Sequence, residues 1–544
     1  MHHLTLTNSL GLGHNTVLQM SNQLINHATE RTIFLETFGC QMNELDSELV
    51  QGQLAAIGYT FGDVRSDADV VLFNTCSVRE QAENKVLSRI GELGVEKNEG
   101  RQVVIGMLGC LPEREGKRLL SKYPQIDFIC GPSELDRLPT LLQNSLVAEK
   151  LSTAERSALQ GNRSRRSAAL SASNDNLELL DLSRVFDPDF RESSGQSAYV
   201  RITRGCNKFC TYCVVPNTRG AEVHRPPDSI VGECRKLVES GAVEITLLGQ
   251  TVNHYRYTHG LALGANGQEV PQIGPGLTAF KKPTDTTQKV TTFANLLKRI
   301  HDEVPNLLRL RFVTSYPIDF GDDILKVMRD SPRICNYLHV PAQSGSNRIL
   351  KKMNRGYTVE EYLEFIERAR AIIPDVEIAG DIIVGFCTES EEDYEATRTL
   401  LEIVRFKNNF VFHYSPRPGT VAIDRFEDDV PREVKKRRLN ALLDLGQRIS
   451  GEVHQSYEGK VIDVFVEKLS PQTVKNRGVG GVELKWEETK VQLSGRTSGD
   501  LICVFEVDSA EIAEQMLGTI VQVEITSSAP LLLQGTLHTA TMSI

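Results

Sequence analysis

The segment RGCNKFCTYCVVPNTRG sets Cys206, Cys210 and Cys213 at C-x3-C-x2-C spacing, and this constrains the chain more than any other feature. Three thiolates on one short loop can hold three irons of a cubane cluster and leave the fourth iron without a protein ligand, whereas iron–sulfur clusters ordinarily take four cysteines. An open iron is a place for chemistry. A zinc ribbon is the structural alternative, and it needs a second pair at a matching interval to close a tetrahedral site. Downstream, Cys234, Cys335, Cys387 and Cys503 stand alone.

A second set is dispersed. Cys40, Cys76 and Cys110 each end a strand-like run: TIFLETFGC, VVLFNTC and VVIGMLGC. In a parallel sheet all carboxyl ends lie on one edge, where ligands bind. Three thiols at the same point of three successive β-α units therefore predict a common site, although a single buried cysteine is simply a small apolar residue. Cys130, in DFICGPSE, also ends a run. It reads as buried, because a fully ligated cluster suits electron transfer better than chemistry at a free iron.

The rhythm of the chain places these sets in an α/β protein. Strand-like runs alternate with helical patterns from Arg31 to about Asn144, predicting an N-terminal parallel α/β sheet domain over 31–148. A Ser/Arg/Asn-rich linker, 149–191, follows. A longer β-α series, 192–453, has six strand candidates and predicts a central partial β/α barrel. It is broken by a surface insertion at about 256–292. From 454 to 540 short alternating segments predict a small antiparallel β-barrel.

At 544 residues several domains are expected, and a charged fraction of 24% with 40% hydrophobic residues fits a globular protein. No apolar run approaches the roughly 20 residues of a spanning helix, so no membrane partner is expected. Residues 1–30 carry no Lys or Arg, unlike a secretory or mitochondrial signal, and read as a disordered leader of a cytoplasmic protein. Eleven cysteines in such a chain imply metal or catalysis rather than disulfides. The net charge of −10 gives no global attraction to phosphate, so nucleic-acid contact would rest on local basic patches.

The cysteine loop resembles that of the radical S-adenosylmethionine superfamily, whose open iron binds the cofactor's amino and carboxylate groups. Reductive cleavage of the cofactor then yields a 5′-deoxyadenosyl radical. Candidate contacts to S-adenosylmethionine are Gly249 and Gln250, Gln343 and Ser344 in HVPAQSGS, and Asp381 and Gly385 in GDIIVGF. Together ETFGCQMNELDS, FNTCSVREQAENK, GMLGCLPER, EITLLGQTVNHY, LHVPAQSGSNRILKKMNRGYT and FHYSPRPGT resemble the methylthiotransferase family from about Arg31 to the C-terminus, apart from the insertions. GCQMNELDS, NTCSVRE and CVVPNTRG look most like its MiaB-type branch.

That resemblance implies two 4Fe-4S clusters, an auxiliary one on Cys40, Cys76 and Cys110 and a radical-generating one on Cys206, Cys210 and Cys213. The implied reaction methylates a sulfur with one cofactor molecule and uses a second to abstract hydrogen from carbon 2 of N6-isopentenyladenosine, beside the anticodon of tRNA. An electron donor such as a flavodoxin or ferredoxin is implied as well. No general base is required.

An anticodon loop offers splayed bases for such chemistry. Basic candidates for its backbone are Arg432, Lys435, Lys436, Arg437 and Arg438, with Arg417, Arg163, Arg165 and Arg166. A solvated helix face is the plain alternative for the PREVKKRRLN run. The C-terminal module resembles the RNA-linked TRAM domain through QLSGRTSGDLICVFEV and LLLQGTL. Yet from Tyr457 onward it has 7 Lys+Arg against 12 Asp+Glu, so a brace is the other expectation. Its stretch Ser470 to Lys490, with the lone Trp486, is longer than such a domain needs. Competing readings are a methylthiotransferase for a ribosomal-protein aspartate, which SVREQAENK and Arg219 disfavour, and an iron–sulfur electron carrier or RNA-binding scaffold.

Overall fold

The computed structural model describes residues 31–78, 80–147, 157–159, 178, 180–181, 196–264, 266–274, 289–470 and 490–538. The expected leader, most of the linker with Arg163, Arg165 and Arg166, and the stretch around Trp486 lie outside the described residues. Two compact units divide the chain: residues up to Phe190 together with Asn217–Gly220, and Arg191–Pro216 with Ala221–Ile544. Among the described residues no helix is long and apolar enough to cross a membrane.

The first unit is a parallel sheet in the order β2-β1-β3-β4-β5-β6. Its strands are β1 Thr32–Phe38, β2 Thr60–Phe61, β3 Val70–Thr75, β4 Val104–Gly109, β5 Phe128–Cys130 and β6 Ser157–Leu159. Central strand β3 reads VVLFNT and is buried at all six positions, as a strand covered on both faces must be. On one face Val71, Phe73, Ile105 and Met107 pack against Val86, Ile90 and Leu93 of the helix Glu80–Asn98. The sheet order reverses direction between β1 and β3, which opens a crevice at their carboxyl ends.

The second unit begins with six parallel strands: β7 Ser197–Arg201, β10 Glu244–Leu248, β14 Arg309–Phe312, β15 Tyr337–His339, β16 Glu377–Val384 and β17 Asn408–His413. They pair as β14-β10-β7 and β15-β16-β17. A bridge between Leu310 and Ile334 and a hydrogen bond from the Ser315 N–H to the His339 carbonyl (3.2 Å) join the two halves. Helices follow the strands, some begun by reciprocal caps such as Thr358 with Glu361. The insertion is not without structure. β11 Arg256–Thr258 pairs with β13 Val290–Thr292, and β12 Gln272–Ile273 pairs with β9 Val223–His224, itself paired with β8 Thr203–Arg204.

The C-terminal strands β18 Val461–Leu469, β19 Val491–Thr497, β20 Ile502–Val507, β21 Ile520–Ala529 and β22 Leu532–Leu537 close a TRAM-like barrel in the order β18-β19-β20-β22-β21. Closure removes the sheet edges. It is antiparallel except at β20–β22: β21 lies on the far side, beside β18, and β22 turns back from it through the tight turn at Ala529–Leu532 into the place next to β20, running in the same direction as β20. Val464, Leu493, Phe505 and Val523 fill it.

This barrel sits on the amino ends of the partial-barrel strands. Arg309 and Arg311 of β14 donate to the carbonyls of Arg496 (2.5 Å) and Thr497 (2.6 Å), and Arg311 also pairs with Glu244 at the start of β10 (2.7 Å). Lys407, just before β17, pairs with Asp500 at 2.9 Å. These contacts serve stability, since they close the amino ends and leave the carboxyl ends for chemistry. Burial acts to raise the Asp500 carboxyl, but the charges of Lys407, Arg311 and Arg496 outweigh it and hold the group at about 2.

A carboxyl depressed below its unfolded value of ~3.9 contributes stability that is whole above about pH 4 and is lost as pH falls toward the folded value. Asp500→Asn is therefore expected to lower the unfolding free energy by about 2–3 kcal/mol at neutral pH. In urea titrations the gap from wild type should shrink as pH drops from about 4 to about 2.

Candidate metal centres

Phe38 of β1 is level with Thr75 of β3, which is level with Gly109 of β4. Cys76 and Cys110 are the next residues of their strands, and Cys40 follows after Gly39. All three thus leave the sheet at one edge, beside the crevice where the order reverses. Gly39 is required there: its φ is +146°, and a Cβ would lie 2.5 Å from the Cys76 Cβ. Gly109, at φ +96°, likewise clears Asn74 and the Thr75 carbonyl.

A buried amide pair supports the thiols. Asn43 Nδ2 donates to Asn74 Oδ1 (2.9 Å), and Asn74 Nδ2 donates to the Asn43 carbonyl (2.8 Å) and to Ser47 Oγ (3.0 Å). The Cys40 thiol donates to Asn43 Oδ1 at 3.2 Å. Nothing in the charge pattern marks these asparagines. The available signal was a polar residue in the apolar run VVLFNTC, a position that burial makes costly unless it is hydrogen-bonded.

The thiols also feel one another. A hydrogen bond with Cys76, aided by the Arg219 charge against the effect of burial, brings Cys40 down to about 6. The same contact and burial push Cys76 up. Burial raises Cys110, opposed by Arg219 and by a hydrogen bond with Thr218. Arg219 is buried and pairs with buried Asp46 at 2.8 Å. One cation therefore favours the thiolate at both Cys40 and Cys110.

Cys130 is placed differently. It lies inside β5, level with Leu108 and so two positions short of Cys110, and its thiol donates to the Glu134 carbonyl at 3.3 Å. Burial pushes its thiol well up.

In the second unit Cys206, Cys210 and Cys213 follow β8 on a loop whose turn uses Gly205 at φ +67° and Phe209 at φ +49°. The segment after helix Asn347–Lys352 clamps this loop. The Thr211 N–H donates to the Met353 carbonyl (3.0 Å), Thr211 Oγ1 to the Lys352 carbonyl (2.9 Å) and Asn354 Nδ2 to the Phe209 carbonyl (3.0 Å). Arg355 Nη1 approaches Cys210 Sγ at 3.4 Å, with its guanidinium stacked 4.5 Å from the Tyr316 ring centre. Burial, then the neighbouring Cys213, pushes the Cys206 thiol up. Two local sets of three thiols, each with a nearby arginine, are the result.

Residues 32–131 match the family described as "Uncharacterized protein family UPF0004", and residues 200–401 match the Radical SAM superfamily. The tRNA-2-methylthio-N(6)-dimethylallyladenosine synthase of Rhodopirellula baltica is 40% identical over 89% of this chain and 92% of its own length. Proteins of the same name from Protochlamydia amoebophila and Carboxydothermus hydrogenoformans are 38% and 39% identical, over 87% and 93% of this chain and 96% and 99% of theirs. The chain belongs to the MiaB-type tRNA methylthiotransferase family.

In this methylthiotransferase the positions expected to meet S-adenosylmethionine fall after strands of the second unit or, for Asp381, within the carboxyl half of one, in varied settings. Gly249 follows β10 and leaves room for Thr203, whose Oγ1 a Cβ would strike at 2.2 Å; Gln250 beside it is half-buried. Gln343, at φ +71°, bridges to Ile382 of β16. The Ser344 hydroxyl is spent on the Ser346 N–H at 3.2 Å and lies 3.4 Å from Thr397 Oγ1. Asp381 stands half-buried on β16, 3.4 Å from His339 Nε2. Gly385, at φ +66°, donates its N–H to Glu389 Oε2 (2.7 Å) and lies against Lys435.

The basic run splits by helix face. Lys435 and Arg438 point inward, paired with Asp428 (2.5 Å) and Glu389 (2.7 Å), while Arg437 pairs with Glu391 and remains exposed with Arg432 and Lys436. Arg417 is buried. The expected backbone patch is thus reduced, because residues 435 and 438 share the core-facing stripe of helix Arg432–Gln455 with Leu442 and Leu445. Sequence reading missed Phe410 and Phe412, exposed rings on one face of β17 beside Asp381 and Ile383 of β16.

Arg219→Leu would remove the guanidinium paired with buried Asp46 and is expected to cost about 3–5 kcal/mol. Gly39→Ala is expected to cost about 1–3 kcal/mol, from overlap with Cys76 and a strained φ. Both are read from thermal unfolding followed by circular dichroism.

Proposed function

We propose that the chain methylthiolates carbon 2 of N6-isopentenyladenosine beside the anticodon of tRNA, by two-step S-adenosylmethionine-dependent radical chemistry. The near-full-length match to relatives that share this synthase name carries the reading. In it Cys40, Cys76 and Cys110 hold an auxiliary 4Fe-4S cluster, and Cys206, Cys210 and Cys213 hold the one that meets S-adenosylmethionine. The donor sets fit: each offers three thiols, and Arg219 and Arg355 supply positive charge beside them. When bound, these groups supply reductive cleavage of S-adenosylmethionine and a sulfur to be methylated.

The chain's own work is binding and aiming. Gly249, Gln250, Gln343, Ser344, Asp381 and Gly385 border the cofactor's place. Phe410 and Phe412 offer apolar faces on which an unstacked base can lie. The exposed Arg432, Lys436 and Arg437 are left to meet RNA phosphates. A one-electron donor of the flavodoxin or ferredoxin kind, and a cytoplasmic setting, complete the reading.

The test is mass spectrometry of nucleosides from tRNA of a strain lacking this gene, complemented with wild type, Cys206→Ala or Cys76→Ala. The methylthio mark is expected to return with wild type alone, with unmodified isopentenyladenosine accumulating in both variants. A mark present in every strain, with a ribosomal-protein aspartate losing its modification instead, would overturn the substrate.

A further inference from the structure

Apart from the eleven cysteines, Glu222, His224 and His254 gather in the interior of the second unit. The Glu222 and His224 side chains have no solvent exposure and that of His254 has 3%. Glu222 Oε1 lies 2.7 Å from His224 Nε2 and 2.8 Å from His254 Nδ1. Its second oxygen, Oε2, is buried without a hydrogen-bond partner. A buried carboxylate oxygen left so is costly, and an ion is one of the few things that resolves it.

His224 Nδ1 lies 2.7 Å from the Arg256 carbonyl and accepts from the Arg256 N–H at 3.0 Å, so the ring is held by the backbone of one residue while Nε2 faces the carboxylate. Gly274 keeps the nitrogen uncovered, since a Cβ there would lie 2.6 Å from His224 Nε2.

We propose that Glu222, His224 and His254 form a mononuclear site for a divalent cation of the zinc class, separate from both cysteine sets. Two imidazoles and a carboxylate are a zinc donor set, and binding releases any proton shared among them. Its placement gives it a structural role. The Glu222 N–H donates to Asn207 Oδ1 at 3.1 Å, next to Cys206, and His254 lies in the turn after β10. A cation there pins the base of the cysteine loop to the exit of the neighbouring strand.

The test uses the full chain after anaerobic reconstitution with iron and sulfide, incubated with zinc and desalted. Zinc is counted by mass spectrometry and its neighbours are read by X-ray absorption at the zinc edge. One retained equivalent is expected, with nitrogen and oxygen neighbours at about 2.0 Å and no sulfur at about 2.3 Å. Glu222→Gln should retain about tenfold less zinc while keeping its iron. If that variant also loses iron, His254→Asn, which keeps a donor toward Glu222, decides by the same readout. Sulfur neighbours, zinc retained equally by the variants, or no zinc in wild type would overturn the site and leave a protonated imidazole–carboxylate cluster.

Discussion

Parallel strands deliver their carboxyl ends to one edge, and the chemistry proposed for this chain depends on that constraint. In the first unit the register that aligns Phe38, Thr75 and Gly109 delivers three cysteines from residues 40, 76 and 110 to one row. No local motif could gather residues so far apart. The row then has to be made habitable for thiolates. Gly39 and Gly109 remove side chains that would collide, the Asn43–Asn74 pair satisfies the polar floor, and Arg219 supplies the charge.

The second unit solves a simpler version of the problem. Its cysteines are local, so the loop needs only to be held in shape, by hydrogen bonds with residues 352–354 and by Arg355 near Cys210. The opposite, amino ends of the same strands are closed by the small barrel through Arg309, Arg311 and Lys407. Its acidic balance is thereby partly explained, since Asp500 is occupied in holding the barrel to the strands rather than available to repel phosphate.

How legible this was in the sequence follows from the range of each interaction. Strands such as Thr32–Phe38, Val70–Thr75 and Val104–Gly109 fall within the runs TIFLETFGC, VVLFNTC and VVIGMLGC, because composition and turn signals are local. The convergence of Cys40, Cys76 and Cys110 was legible too, since the β-α repeat fixes the edge. What depended on partners distant in sequence was not. The Asn43–Asn74 pair, the parallel β20–β22 seam and the inward turn of Lys435 and Arg438 are set by packing. The strands within 256–292 were hidden because two- and three-residue segments carry no period. Family resemblance carried the substrate, which neither spacing nor charge could name.

The central claim is that two independent sets of three cysteines each hold a four-iron cluster. Iron content with Mössbauer spectroscopy on the anaerobically reconstituted chain tests it most directly. The account predicts about eight irons in wild type, about four in a Cys40/Cys76/Cys110→Ala variant, and about four in a Cys206/Cys210/Cys213→Ala variant. Cys130→Ser should match wild type. About four irons in wild type, or loss of four on changing Cys130 alone, would contradict it.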